Sequence, residues 1–147
     1  MSGIVCAIRG GEESQLTIAK AIELSTDTGL TIIFLYVVNL DFLTRTSSSR
    51  VHTINKEMHD MGEFILLDAQ SKAKAKGVKA EGVIRSGKVF DEIIALCNER
   101  QADYVILGRP RGEREENVFT QIRLRQLIDH IEEESDAKVV LAEGDQE

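Results

Sequence analysis

Tyr104-Val-Ile-Leu-Gly-Arg-Pro-Arg-Gly112 is the stretch on which the fold turns. Four consecutive apolar β-formers, Tyr104 to Leu107, suit a strand covered on both faces, as in a parallel sheet flanked by helices. Gly108 and Gly112 then bound a turn that holds Arg109, Arg111 and the chain's single proline. In open α/β sheets the carboxyl ends of the strands form the ligand crevice, at the point where connections leave for opposite faces. A small molecule is therefore expected at this turn.

Working outward, every neighbour of this strand has α/β character. Upstream, Phe90, Ile93, Ile94 and Cys97 fall at i, i+3, i+4 and i+7, a helix opened by Gly87. Before it, Val78 to Ile84 alternates polar and apolar residues, as an edge strand with one wet face does. Downstream, the charged segment Glu113 to Asn117 lacks a period. Leu124, Leu127, Ile128 and Ile131 then mark a fourth helix, and Ala137 to Ala142 a last strand before an acidic tail.

The N-terminal half repeats the alternation. Ile4 to Ile8 is an apolar strand ended by Arg9-Gly10-Gly11, and Ile18, Ala21, Ile22 and Ser25 give the helix that Gly29 closes. Thr31 to Val38 is the second strand. From about Asn55 to Lys76 runs a long helix with Met58, Met61, Ile65 and Ala69 on one face, its last turns loaded with Lys72, Lys74 and Lys76. Between the two, Asn39 to Thr53 is polar and without period, and reads as a long loop over the same sheet edge: a surface loop, or a lid or docking segment. Five strands alternating with four helices predict one domain over residues 1–147, a three-layer α/β/α sandwich around a parallel sheet.

Composition narrows the function. A formal charge of −7 argues against gripping a nucleic-acid backbone. The longest apolar run, Ile32 to Val38, is too short to span a bilayer, and the N-terminus leads straight into a strand without signal-peptide character. Cys6 and Cys97 sit in apolar patterns as small core residues, inert and unpaired, which predicts a reducing cytoplasm.

The assembled order resembles the universal stress protein family, of the UspA-like type, over nearly the whole chain. The resemblance rests on the Ile4–Ile8 strand, Phe34-Leu-Tyr-Val-Val38, Ile84 to Gly87, and above all Ala102-Asp-Tyr-Val-Ile-Leu-Gly108. It implies an adenine nucleotide alpha hydrolase-like sheet ordered 3-2-1-4-5, a homodimer, and a role in stress response. Many members bind ATP beside the first and fourth strands, with a Gly-x₂-Gly-x₉-Gly-Ser/Thr pattern whose glycines let backbone N–H groups approach the phosphates. Here Gly108 matches the first glycine, the second position holds Arg111, and no glycine lies between Gly112 and Gly144. The acidic residue that the family carries at the end of the first strand is Arg9. The expectation is a degenerate nucleotide loop and no standard ATP cofactor. The implied dimer would place the final strand on a two-fold axis, with Val139, Val140 and Leu141 at or near the interface.

The altered edge suggests another chemistry. Arg9, Arg85, Arg109 and Arg111 lie at the carboxyl ends of strands one, three and four, with Gly10, Gly11, Gly108 and Gly112 leaving backbone N–H groups accessible. Guanidinium forks bind carboxylates and phosphates bidentately, so a small anion or nucleotide could dock there. Alternatively, Glu12, Glu13, Glu113, Glu115 and Glu116 neutralise these arginines as exposed ion pairs. Catalysis has little support: His52, His59 and His130 are scattered without partners at metal-ligand spacing, and no nucleophile elbow or Walker loop is present. Three readings follow: a dimeric stress-response protein acting by binding, a nucleotide- or anion-binding switch or slow ATPase in the same crevice, or an unrelated flavodoxin-like module.

Overall fold

The computed structural model describes residues 3–9, 12–38, 48–108 and 118–142. They form β1 (Ile4–Ala7), α1 (Glu12–Thr28), β2 (Ile32–Val38), α2 (Ser48–Ala75), β3 (Ala80–Ser86), α3 (Val89–Arg100), β4 (Tyr104–Gly108), α4 (Val118–Glu134) and β5 (Lys138–Ala142). The sheet is parallel throughout and ordered β3-β2-β1-β4-β5, as the resemblance implies. β1 is central, and its continuous apolar run is the consequence: Ile4, Val5 and Cys6 are fully buried.

Alternation across the sheet splits the core into two layers. Cys6, Ile32, Phe34 and Tyr36 pack with Ile18 and Ala21 of α1 and Leu66, Ala69 and Ala73 of α2. Val5, Ile33, Leu35, Val105 and Leu107 pack with Ile93, Leu96 and Cys97 of α3 and Ile131 of α4. The fold class is a three-layer α/β/α sandwich.

Three features depart from expectation. Helix α2 begins at Ser48, so residues 48–53 of the polar tract are helical; residues 39–47 lie outside the described residues. At about 1.5 Å per residue its 28 residues span roughly 42 Å, against roughly 23 Å for the seven residues of β2. Turns that overrun the sheet need no apolar period, so the tract carried no helical signal. Met61 is 55% exposed rather than on the buried face, because the buried line runs through Gly62, Leu66, Ala69 and Ala73. Phe90 likewise stands 37% exposed, while Leu96 fills the core.

The edge of β5 has a chemistry of its own. The Lys138 N–H donates to the Asp103 carbonyl at 2.9 Å, whereas the Val139 N–H donates to Glu132 Oε2 at 2.9 Å. Alternation in a parallel ladder then gives the Val140 amide to β4 and leaves that of Leu141 pointing outward. Glu132 thus covers one edge donor, a usual way of blunting an exposed strand.

Candidate functional site

Strand order places the switch point between β1 and β4: β1 feeds α1 on one face, and β4 feeds α4 on the other. A cavity of about 230 Å³ opens there. The sheet contributes Ala7, Ile8, Leu35, Val37, Leu107 and Gly108. Val89, Phe90 and Ile93 of α3 and Leu124 and Leu127 of α4 line it from the helix side, with Arg9, Ser14 and Thr17 as the polar members among the described residues.

The strand-to-helix passage is built locally. Ser14 Oγ accepts the Arg9 backbone N–H at 3.1 Å, tying the start of α1 to the end of β1. The Cys6 thiol donates to the Thr17 carbonyl at 3.7 Å. A Cβ at Gly108 would stand 3.0 Å from Thr17 Oγ1, a tight contact, so glycine there suits the close approach of α1 to the end of β4. Burial pushes both thiols up, Cys6 far above its ordinary range and Cys97 to about 11, so neither is a nucleophile at neutral pH.

Of the four arginines the structure describes Arg9 and Arg85, and it holds these two apart. Arg9 lines the cavity and is exposed. Arg85, two strands and roughly 10 Å of sheet away on β3, forks onto Glu99 of α3 with bonds of 2.9 and 2.5 Å and lies 3.8 Å from Glu92. The hydrogen bonds to Arg85 hold the Glu99 carboxyl below its usual range. Arg100 binds Glu81 in the same bidentate way, at 3.0 Å twice, and holds that carboxyl low as well. Arg85 and Arg100 are thus occupied in fastening α3 to the edge strand. Gly10, Gly11, Arg109, Arg111 and Gly112 lie outside the described residues, and of the predicted glycines Gly108 lines the cavity.

Sequence reasoning missed the apolar wall. Val37 and Leu107 sit at strand ends, where the signal was available; Phe90, Leu124 and Leu127 are recognisable as lining only once α3 and α4 are laid on the sheet. His59 Nε2 lies 3.4 Å from Ser86 Oγ on the surface, and His130 is exposed. Among the described residues no cluster of His, Cys, Asp or Glu could hold a metal ion, and no helix is long and apolar enough to cross a membrane.

The arrangement can hold a ligand body of about one ring system against an apolar wall, since a cavity of roughly 150 Å³ already takes benzene. Comparison with known proteins gives the same architecture. The chain is similar to UspA from Lactobacillus plantarum, with a TM-score of 0.74 at 11% identity over 96% of this chain and 97% of that one. A universal stress protein family member from Burkholderia pseudomallei gives 0.69 at 18% identity over 94% and 92%. The universal stress protein from Archaeoglobus fulgidus, solved in complex with dAMP, gives 0.61 at 16% identity over 96% and 97%. No curated protein matches the chain. The model of the universal stress protein family matches residues 1–141, and the chain therefore belongs to that family.

Proposed function

We propose that this chain is a cytoplasmic stress-response protein that acts by binding rather than catalysis, and that its crevice does not take Mg·ATP in the manner of the ATP-binding members. The observation that carries this reading is the lining: apolar side chains from the sheet, α3 and α4, with Arg9 where those members place an acidic residue. Arg111 at the second glycine position and the lack of a closing glycine before Gly144 point the same way. Millimolar Mg·ATP should leave the melting temperature unchanged. A ligand at 100 times its Kd would add about 2.7 kcal/mol, roughly 5–10 °C for a chain of this size. A rise of several degrees would instead favour the second reading, a nucleotide- or anion-binding switch. That reading is supported by the exposed Arg9 guanidinium at the cavity and by the dAMP complex of the Archaeoglobus fulgidus relative.

The proposal includes a homodimer across β5, with Val139, Val140 and Leu141 at or near the two-fold axis. An outward Leu141 amide is a free ladder donor suited to a self-complementary edge. Leu141→Pro removes that donor without touching the β4 ladder, whereas proline at Val140 would break the β4–β5 pairing itself. Sedimentation equilibrium at micromolar concentration should give twice 16.4 kDa for the wild type and a shift toward 16.4 kDa for Leu141→Pro. A wild-type mass of 16.4 kDa removes the dimer from the proposal.

A further inference from the structure

The crevice is an unfilled part of the core rather than a groove in polar surface. Leu35, Val37, Ile93, Leu107 and Leu127 line it, and they belong to the core layer that α3 and α4 cover. Side chains bordering such a gap lack partner atoms on one side, and an apolar body of fitting size restores those contacts. At about 230 Å³ the space exceeds the roughly 150 Å³ that already admits benzene. It accommodates one ring with a short arm. A ring has little rotamer freedom to lose on binding, which favours it over a flexible chain of equal area.

Charge identifies the other end of the ligand. Among the described lining residues, Arg9 is the one that carries a charge. Arg85 and Arg100 fork onto Glu99 and Glu81. The Arg9 side chain, by contrast, is exposed and has no ion pair among the described residues. A guanidinium fork at the mouth of an apolar cavity fits one carboxylate bidentately. A nucleobase suits the same walls poorly. Its ring nitrogens and exocyclic groups need protein partners once buried, and each one left without costs affinity. Apart from Arg9, the polar side chains of the described lining are Ser14 and Thr17. Ser14 Oγ already takes the Arg9 backbone N–H, and Thr17 also has a partner within the fold.

We propose that the crevice binds a small apolar monocarboxylate of about one ring, its body against Phe90, Leu107 and Leu127 and its carboxylate on the Arg9 guanidinium. This rests on the reading that the crevice does not take Mg·ATP, and it names what the crevice takes instead. A single guanidinium neutralises a single negative charge. The further charges of a nucleotide triphosphate would meet the field of a protein that is itself at −7.

Isothermal titration of the full chain tests this, with phenylpropanoate, its neutral alcohol phenylpropanol, and Mg·ATP as probes. The acid should bind roughly five- to tenfold tighter than the alcohol, the increment of one charge-assisted pair at a partly wet site. Arg9→Gln should bring the acid down to the affinity of the alcohol and leave the alcohol unchanged. Phe90→Glu, at a position 37% exposed and folded to the wild-type melting temperature, should weaken both at least about tenfold, which locates the ring. The proposal is overturned by equal wild-type affinities for acid and alcohol, or by no binding of the acid at millimolar concentration. An acid preference that survives Arg9→Gln, or unchanged binding of both probes to Phe90→Glu, overturns it as well. If neither the acid nor Mg·ATP binds, the proposal fails while the reading beneath it stands. Binding of Mg·ATP removes that reading and this proposal together.

Discussion

Phe34→Ala should cost about 3–5 kcal/mol of folding stability, the range for emptying a buried phenylalanine site. Phe34 is the largest of the fully buried side chains. It lies mid-strand in β2, paired to Cys6 on β1 and Gly82 on β3, among the residues that α1 and α2 cover. Such a site cannot collapse, because two hydrogen-bonded ladders fix the backbone on either side. For a domain whose whole stability is on the order of 5–15 kcal/mol, the loss is a large fraction, and the melting temperature should fall by roughly 10 °C or more. Phe90→Ala provides the contrast. Its ring is 37% exposed at the cavity, so its removal should cost less than about 1 kcal/mol. Urea titration of both variants measures the difference as a shift in midpoint at constant slope. Equal costs would mean that Phe34 is not the keystone its burial indicates. Because Leu35 rather than Phe34 faces the crevice, the Phe34 variant should keep the cavity lining intact while folded.

The strands were legible because burial on both faces leaves its mark directly in the residues: Ile4 to Cys6, Ile32 to Tyr36 and Val105 to Leu107 are apolar without interruption and are buried. The edge position of β3 agrees with the polar residues among Val78 to Ile84, but its burial does not alternate, since Val83 and Ile84 pack into opposite layers. Strand order was not readable from periodicity and came from the resemblance carried by Ala102 to Gly108. The crevice divided along a similar line. Its position followed from the glycine turn after β4, but its lining depends on how helices return over the sheet. Arg85 illustrates this. It stands at a strand's carboxyl end, where the sequence suggests an anion site, yet α3 brings Glu99 back to it from 14 residues later in the chain. The start of α2 was hidden because turns that overrun a sheet need no apolar stripe, and Met61 misled because one step along a helix turns a side chain by about 100°.

Gly62 should be the least replaceable residue of α2, against the ordinary preference of helices. Glycine in a helix interior costs about 1 kcal/mol relative to alanine, so propensity alone predicts that Gly62→Ala stabilises. A Cβ at this position would lie 2.5 Å from Tyr36 Cδ2, 2.9 Å from Cε2 and 3.2 Å from Cγ. Those are ring atoms of a residue only 7% exposed on β2, held in the layer that α2 covers, and the ring cannot swing clear as a flexible chain end could. Forcing a methyl into that contact costs about 1–3 kcal/mol, which outweighs the propensity gain. Gly62→Ala should therefore be net destabilising by about 1 kcal/mol, and Gly62→Val by roughly 3 kcal/mol, since a branched Cβ adds bulk on the crowded side. The cause can be isolated with a double-mutant cycle. In a Tyr36→Ala background the obstructing ring is gone, and Gly62→Ala should change sign, adding about 0.5–1 kcal/mol. If alanine at position 62 destabilises both backgrounds equally, the close approach of α2 to the Tyr36 ring is not what requires glycine there.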